Sequence, residues 1–185
     1  MTAKRGRAKK PAKRRSTGSS TALEDFMKQA YAMELEASTR YAEFADQMEV
    51  ANNRDVAELF RKLAGIEKLH ADKILEHMGW REPPPDLVPF RWEGLEGAET
   101  GEHNGLHYLM QPYHALKIAL TNEEGAAKLF ASVARKKLPP AVLAAAREMA
   151  EEEREHVELV KAWIARVPKP EKDWDVDLDP PNVND

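Results

Sequence analysis

The sequence contains no cysteine, and this absence excludes whole classes of site. With none among its 185 residues, the chain forms no disulfide bond and builds no metal site from thiolates. Long apolar runs are also missing. None approaches the roughly 18 residues that a helix needs to cross a bilayer, and no apolar signal segment precedes the first predicted helix. We therefore expect one cytoplasmic domain with no membrane contact.

Acidic residues are missing from the first fifteen positions, which hold eight of the chain's 28 lysines and arginines. The remaining 170 residues carry 20 basic against 32 acidic side chains, a net charge of -12. Three interpretations of residues 1–20 stay open: an arm that binds DNA phosphates non-specifically, a docking or targeting segment, and a disordered, solvated extension. We expect residues 1–20 to form a disordered basic tail and residues 168–185 an acidic, proline-rich tail that packs loosely.

Between the two tails, apolar periodicity predicts four helices over residues 21–167. Helix one runs from about Thr21 to Glu49. Asn53 is then placed to cap helix two with its side chain, and helix two stops at Gly79. The fold class is therefore all-α.

Proline positions predict how the second half of the chain is connected. Four prolines lie between Trp80 and Gln111, which indicates a long crossover of the kind that a bundle needs when its second and third helices run parallel. Proline suits the first turn of a helix. We therefore expect helix three to start at Pro112 and helix four at Pro139 and Pro140.

Two of the predicted helices carry the pattern Glu-x-x-His, as Glu67 with His70 and Glu153 with His156. Side chains three apart on an α-helix lie on nearly the same face, so one pair can reach one ion. A single such pair in a charged helix is more often a solvated face. Here both pairs lie on the apolar stripe of their helix, which indicates that they point inward. The stripes consist of Val56, Leu59, Phe60, Leu63, Ile66 and Ile74 in helix two and of Val142, Ala145, Met149, Val160 and Trp163 in helix four.

Helices one and three each place one glutamate on the apolar stripe, Glu34 and Glu123. An alanine follows three residues after each and an aromatic residue seven residues after each, so the chain contains two diverged copies of a helical hairpin. Glu124 is the alternative in helix three, but it lies about 100° off the stripe. Buried carboxylates are costly unless they are compensated, and two divalent cations would balance the charge of four carboxylates.

These residues and their spacing resemble the ferritin-like di-iron carboxylate superfamily, and within it the rubrerythrin and erythrin branch. The resemblance covers roughly residues 21–167. It implies a ferritin-like four-helix bundle with the long crossover between helices two and three. The ligand set that the resemblance implies has terminal ligands Glu34 and His70 on one iron, terminal ligands Glu123 and His156 on the other, and bridging ligands Glu67 and Glu153.

The resemblance also extends to Tyr41, but the chain differs from rubrerythrins in two respects. Tyr41 matches a family tyrosine whose hydroxyl can bond a ligand carboxylate, with a half-buried structural aromatic as the alternative. Rubrerythrins carry an extra glutamate one turn from the third-helix ligand, whereas Leu120 and Ala126 stand three residues from Glu123. They also usually carry a rubredoxin-like iron site made of four cysteines. The chain's own sequence therefore supplies no electron donor of that kind.

The resemblance implies an oxidoreductase that oxidises Fe(II) with dioxygen or hydrogen peroxide, in a ferroxidase or peroxide-scavenging role. It further implies two iron ions per chain, an external electron donor and a homodimer or larger assembly; manganese or zinc suits the same donors nearly as well. Two alternatives stay open: a DNA-associated protein that scavenges iron, and a metal-filled structural or interaction bundle without turnover. The remaining histidines are expected to be caps or surface residues: His77, His103, His107 and His114.

Overall fold

The computed structural model describes residues 17–87 and 106–177, with side chains from residue 21 onward. Within these ranges it contains four α-helices and no strand: α1 Thr17–Val50, α2 Arg54–Met78, α3 Pro112–Val133 and α4 Pro140–Ile164. The all-α prediction is confirmed. α1 begins four residues before the predicted start at Thr21, because no proline interrupts the backbone there. The basic segment before residue 17 and residues 178–185 lie outside the described residues.

Short connections join the helices into two hairpins, α1 with α2 and α3 with α4. The turn at the end of α1 is made by Asn52, whose φ of 57° lies in the left-handed region that asparagine tolerates. α2 ends at Gly79, with a φ of 66°. The Gly79 N–H donates to the Glu76 carbonyl at 3.0 Å and the Trp80 N–H to the Leu75 carbonyl at 2.9 Å, which is a Schellman motif. The predicted stop at Gly79 is therefore confirmed.

Asn53 precedes α2, but its side chain does not cap the helix, so that prediction is wrong. The amide instead donates to the carbonyl oxygens of Tyr108 at 3.2 Å and Met110 at 2.6 Å. These two bonds hold the end of the crossover against the first hairpin. Backbone carbonyl groups outside regular helices need hydrogen-bond donors, and the Asn53 amide supplies one to each of these two.

The core consists of two apolar clusters separated by a layer of glutamates. Each helix passes from one cluster to the other at its glutamate. The first cluster contains Tyr41, Met48, Phe60, Leu63, Leu116, Leu120, Val157 and Val160, and the second contains Met27, Tyr31, Met33, Ala71, Ile74, Ala126, Phe130, Met149 and Ala150. Because α2 and α3 both run from the first cluster to the second, they are parallel. A long crossover must therefore connect them, as the prolines predict.

The segment after α4 returns to the bundle. Trp174 packs against the first cluster, and its ring centroid lies 3.8 Å from that of His114. The hydroxyl of Tyr108 also hydrogen-bonds the carboxylate of Asp177. Residues up to 177 are thus less loosely packed than expected, because the large apolar surface of a tryptophan favours burial. None of the helices described is long and apolar enough to cross a membrane.

Candidate metal centre

Each of the four helices contributes one buried glutamate to the layer between the two apolar clusters. The exposed fraction of each of these residues is only 3 to 6%. They are Glu34, Glu67, Glu123 and Glu153. α2 and α4 add a histidine three residues after their glutamate, where the helical repeat returns to nearly the same face. Both histidines are half-buried. The apolar stripes therefore carry all six side chains into one region of the interior.

The six side chains form two clusters with nearly the same geometry. In the first hairpin, Nδ1 of His70 lies 3.4 Å from Glu67 Oε2 and 3.7 Å from Glu34 Oε2. In the second hairpin, Nδ1 of His156 lies 3.4 Å from Oε2 of Glu153 and 3.6 Å from Oε2 of Glu123. Within each cluster the three donor atoms lie within 4.8 Å of one another, close enough to bind one ion.

The two histidines connect the clusters. Their rings are stacked, with centroids 4.2 Å apart and planes inclined by 3°. A complete set of three donors thus comes from each hairpin, and the two sets face each other across the bundle. Glu124 lies outside both sets, half-exposed and paired with Lys128 at 3.9 Å. The structure therefore brings Glu123, and not Glu124, to the centre.

Burial strongly perturbs the carboxylates. It raises the pKa of Glu34 well above the ordinary 4.5, and the charge of Glu67 adds to this effect. Burial also raises the pKa of Glu67 and, against the opposing hydrogen bond with His156, raises the pKa of Glu153 to about 9. The pKa of Glu123 is lowered, because its hydrogen bonds with His156 and Glu153 outweigh burial.

The pKa of His156 is also raised, but by its hydrogen-bond partners and not by burial. Burial lowers the pKa of the imidazole, but its hydrogen bonds to Glu123 and Glu153 outweigh burial and raise the pKa to about 10. The metal-free centre is therefore short of positive charge and takes up protons. Two divalent cations would supply the missing charge and displace those protons. Carboxylate oxygens and imidazole nitrogens are also the donors that iron, manganese and zinc accept, so the residues present fit two metal ions.

Comparison with known proteins places this arrangement in a family. The model of the rubrerythrin family matches residues 25–103. A crystal structure of an uncharacterised conserved protein from Magnetospirillum magnetotacticum MS-1 is 37% identical, with a TM-score of 0.59, and the alignment covers 79% of this chain and 95% of that chain. The chain belongs to the rubrerythrin family. Its ferritin-like four-helix fold is thereby confirmed. A search of curated proteins found no match.

Two cavities adjoin the centre of this rubrerythrin-family bundle. The larger, of about 110 Å³, lies on the histidine side and reaches from His70 and His156 to the exposed Lys73, Glu148 and Glu152. The smaller, of about 30 Å³, is lined by all four central glutamates and by residues of α1 and α3. The centre can therefore be approached from two sides.

Tyr41 lies in the wall of the smaller cavity and is almost completely buried. Its hydroxyl accepts a hydrogen bond from Nδ2 of Asn122 at 2.9 Å, and its ring stacks on Phe60 with centroids 6.0 Å apart. Tyr41 is thus more deeply buried than the structural alternative expected, and that alternative stays open. A bond from this hydroxyl to a ligand carboxylate stays a prediction.

Sequence reasoning missed three residues of the smaller cavity: Glu36, Arg40 and Asn122. None of them lies on an apolar stripe, so helical periodicity has no signal for them. For Asn122, the one signal in the sequence is its position directly before Glu123. The paired positions of Glu36 and Arg40 indicate no more than a surface ion pair between residues four apart.

Proposed function

We propose that this chain is a non-haem di-iron oxidoreductase that oxidises Fe(II) with dioxygen or hydrogen peroxide, in a ferroxidase or peroxide-scavenging role. One observation carries the proposal: four glutamates from four helices are buried in one layer of an apolar core, with one histidine beside each pair. Without metal this arrangement is costly, because carboxylates in the interior lose their hydration. A bundle that had no need of metal would be more stable with apolar residues there.

The ligand roles follow from the family resemblance, and the two clusters of three donors support the grouping of the ligands by hairpin. Glu34 and His70 would be terminal ligands of one iron, and Glu123 and His156 of the other. Glu67 and Glu153 would bridge. Six ligands would leave open positions on two ions, and the smaller cavity, which the four glutamates line, offers space for a small oxidant beside the ligands.

Bound iron would supply electrons to an O–O bond, one from each Fe(II). Reduction of hydrogen peroxide to two waters consumes two electrons and two protons, which matches two ions per chain. The protein's own contribution is to hold the donors at fixed distances and to keep bulk water out of the carboxylate layer. A further electron donor is needed to return the ions to Fe(II), and it must come from another molecule or domain.

Iron loading tests this function directly. Protein purified without oxygen is analysed for metals, reconstituted with Fe(II) and exposed to air or to hydrogen peroxide. We expect about two iron ions per chain and their oxidation, as in other two-metal sites. The double variant Glu67→Ala/Glu153→Ala should lose both. If zinc or manganese dominates the metal content, that ion would instead be favoured as the physiological metal.

Glu124→Ala is the matched control, because Glu124 is adjacent to Glu123 but half-exposed and outside the centre. It should retain iron binding and oxidation. A wild-type stoichiometry near zero, or equal oxidation by wild type and the double variant, would refute the proposal.

A further inference from the structure

A hydrogen bond between the two hairpins joins Asn122 of α3 to Tyr41 of α1. The amide nitrogen of Asn122 donates to the hydroxyl oxygen of Tyr41 at 2.9 Å. Tyr41 is 1% exposed, and both residues line the smaller cavity together with the four central glutamates. The tyrosine ring stacks on Phe60, so packing in the core fixes the position of the ring. The direction of the hydroxyl proton is then the remaining freedom of this side chain.

The equivalent positions in the other half of the repeat carry no polar pair. Asn122 directly precedes Glu123, whereas Met33 directly precedes Glu34. Phe130 stands seven residues after Glu123, at the position that Tyr41 has after Glu34. Met33 and Phe130 are both buried in the second apolar cluster. The two donor sets have nearly the same geometry, so the pair is a polar difference between their surroundings.

The amide of Asn122 restricts where the Tyr41 proton can point. A phenol donates one proton and accepts through its oxygen. Because Asn122 donates to that oxygen, the proton is directed to a different acceptor. The other polar side chains that line the smaller cavity are five glutamates and Arg40, and arginine accepts no hydrogen bond. The acceptors that this cavity wall offers to the hydroxyl are therefore carboxylates.

We propose that Asn122 is a positioning residue, which holds the Tyr41 hydroxyl so that its proton bonds one of the central carboxylates, and that this bond makes the two metal positions unequal. The inference rests on the metal centre of the proposed function. A hydrogen bond to a ligating carboxylate fixes the orientation of that ligand, and its loss typically costs about 10- to 100-fold in metal affinity. Met33 and Phe130 cannot provide this support in the other half.

Binding of Co(II) to the full-length, metal-free protein tests the inequality, with calorimetry and the absorption of the bound metal as readouts. A site of a given donor set generally binds Co(II) more tightly than Fe(II). Tyr41→Phe should weaken the binding of one ion about 10- to 100-fold and leave the other nearly unchanged. Asn122→Leu should weaken the same ion, and Asn122→Gln, which keeps an amide donor, should recover part of the loss. Equal weakening of both ions, or none in Asn122→Leu, would overturn the inference.

The double variant Tyr41→Phe/Asn122→Leu distinguishes positioning from a general structural role. If Asn122 acts through the Tyr41 hydroxyl, the double variant should bind Co(II) no more weakly than Tyr41→Phe alone. If the two losses multiply instead, Asn122 acts independently of Tyr41 and the inference is overturned. Glu124→Gln is the matched control, because Glu124 also adjoins Glu123 but is half-exposed and outside the centre. It should change neither Co(II) affinity.

The same cycle of variants can be measured without any ion. Urea denaturation with a chelator present gives the free energy of unfolding of wild type, the two single variants and the double variant. The loss in the double variant should be smaller than the sum of the single losses, because both substitutions remove the same hydrogen bond. Additive losses would overturn the inference. If Co(II) shows the expected pattern but wild type does not oxidise Fe(II), the proposed function fails and the role of Asn122 stands.

Discussion

Replacing Glu153 by glutamine should stabilise the metal-free protein while it weakens metal binding. Glutamine keeps the size and shape of the side chain but never ionises. In the wild type, burial raises the pKa of Glu153 from 4.5 to about 9. At neutral pH the folded protein must therefore hold this carboxyl protonated, whereas the unfolded chain leaves it ionised.

The magnitude follows from this difference in proton binding. A pH of 7 is about 2.5 units above the pKa of this carboxyl group in the unfolded chain, so protonating the group on folding costs about 3 kcal/mol. Because the folded-state pKa of Glu153 is raised, this residue's contribution to the free energy of unfolding is complete below pH 4.5 and is lost as the pH rises towards 9. The expected gain in stability of Glu153→Gln at pH 7 is therefore about 3 kcal/mol. For a chain of this size it corresponds to a rise in melting temperature of roughly 6–12 °C.

Urea denaturation with a chelator present, followed by circular dichroism, measures the effect. Metal-free Glu153→Gln should be more stable than wild type at pH 7 and equal to it below the ordinary glutamate pKa. Glu155→Gln, at an exposed position of the same helix, is the control and should change little. Added Fe(II) should stabilise wild type far more than Glu153→Gln, because binding to the folded state adds to stability. A metal-free variant less stable than wild type at pH 7 would refute the reasoning.

Two further predictions concern reductant and DNA. Iron-loaded protein should consume peroxide through many turnovers only with an added donor such as rubredoxin, because the 185 residues contain no cysteine for a rubredoxin-type centre; sustained consumption without any electron source would contradict this. If residues 1–20 tether the protein to DNA, the full-length chain should retard duplex DNA at about 50 mM salt, with a log–log salt slope of order -7 or shallower. A chain shortened to start at Thr21 should not bind, and absence of binding by the full-length chain would exclude the tether.

The centre was predictable because its residues follow the helical repeat. Glu34, Glu67, Glu123 and Glu153 stand on apolar stripes, so periodicity alone carries them inward. The parallel course of α2 and α3 was predicted on a different ground, the prolines between Trp80 and Gln111 that indicate a long crossover. A carboxylate on an apolar stripe is rare enough in helices to be noticed without a structure.

Other features depend on contacts between distant parts of the chain. Asn53 obeys a local rule for helix caps, yet its side chain bonds carbonyls more than fifty residues away. Glu36 lies off the apolar stripe, and only the packed bundle shows that one of its oxygens is buried. Trp174 follows α4 in an acidic, polar segment, and nothing local indicates that it packs beside His114.

Each hairpin of the bundle carries a complete donor set, and this has a consequence for how such a protein could have arisen. A chain of half this length, paired with a copy of itself through a twofold axis, would already present six ligands to two ions. Fusing the two copies would keep the centre and free each half to diverge. Tyr41 and Phe130, which occupy matching positions seven residues after Glu34 and Glu123, record such divergence: one hairpin has a hydroxyl group at this position and the other does not.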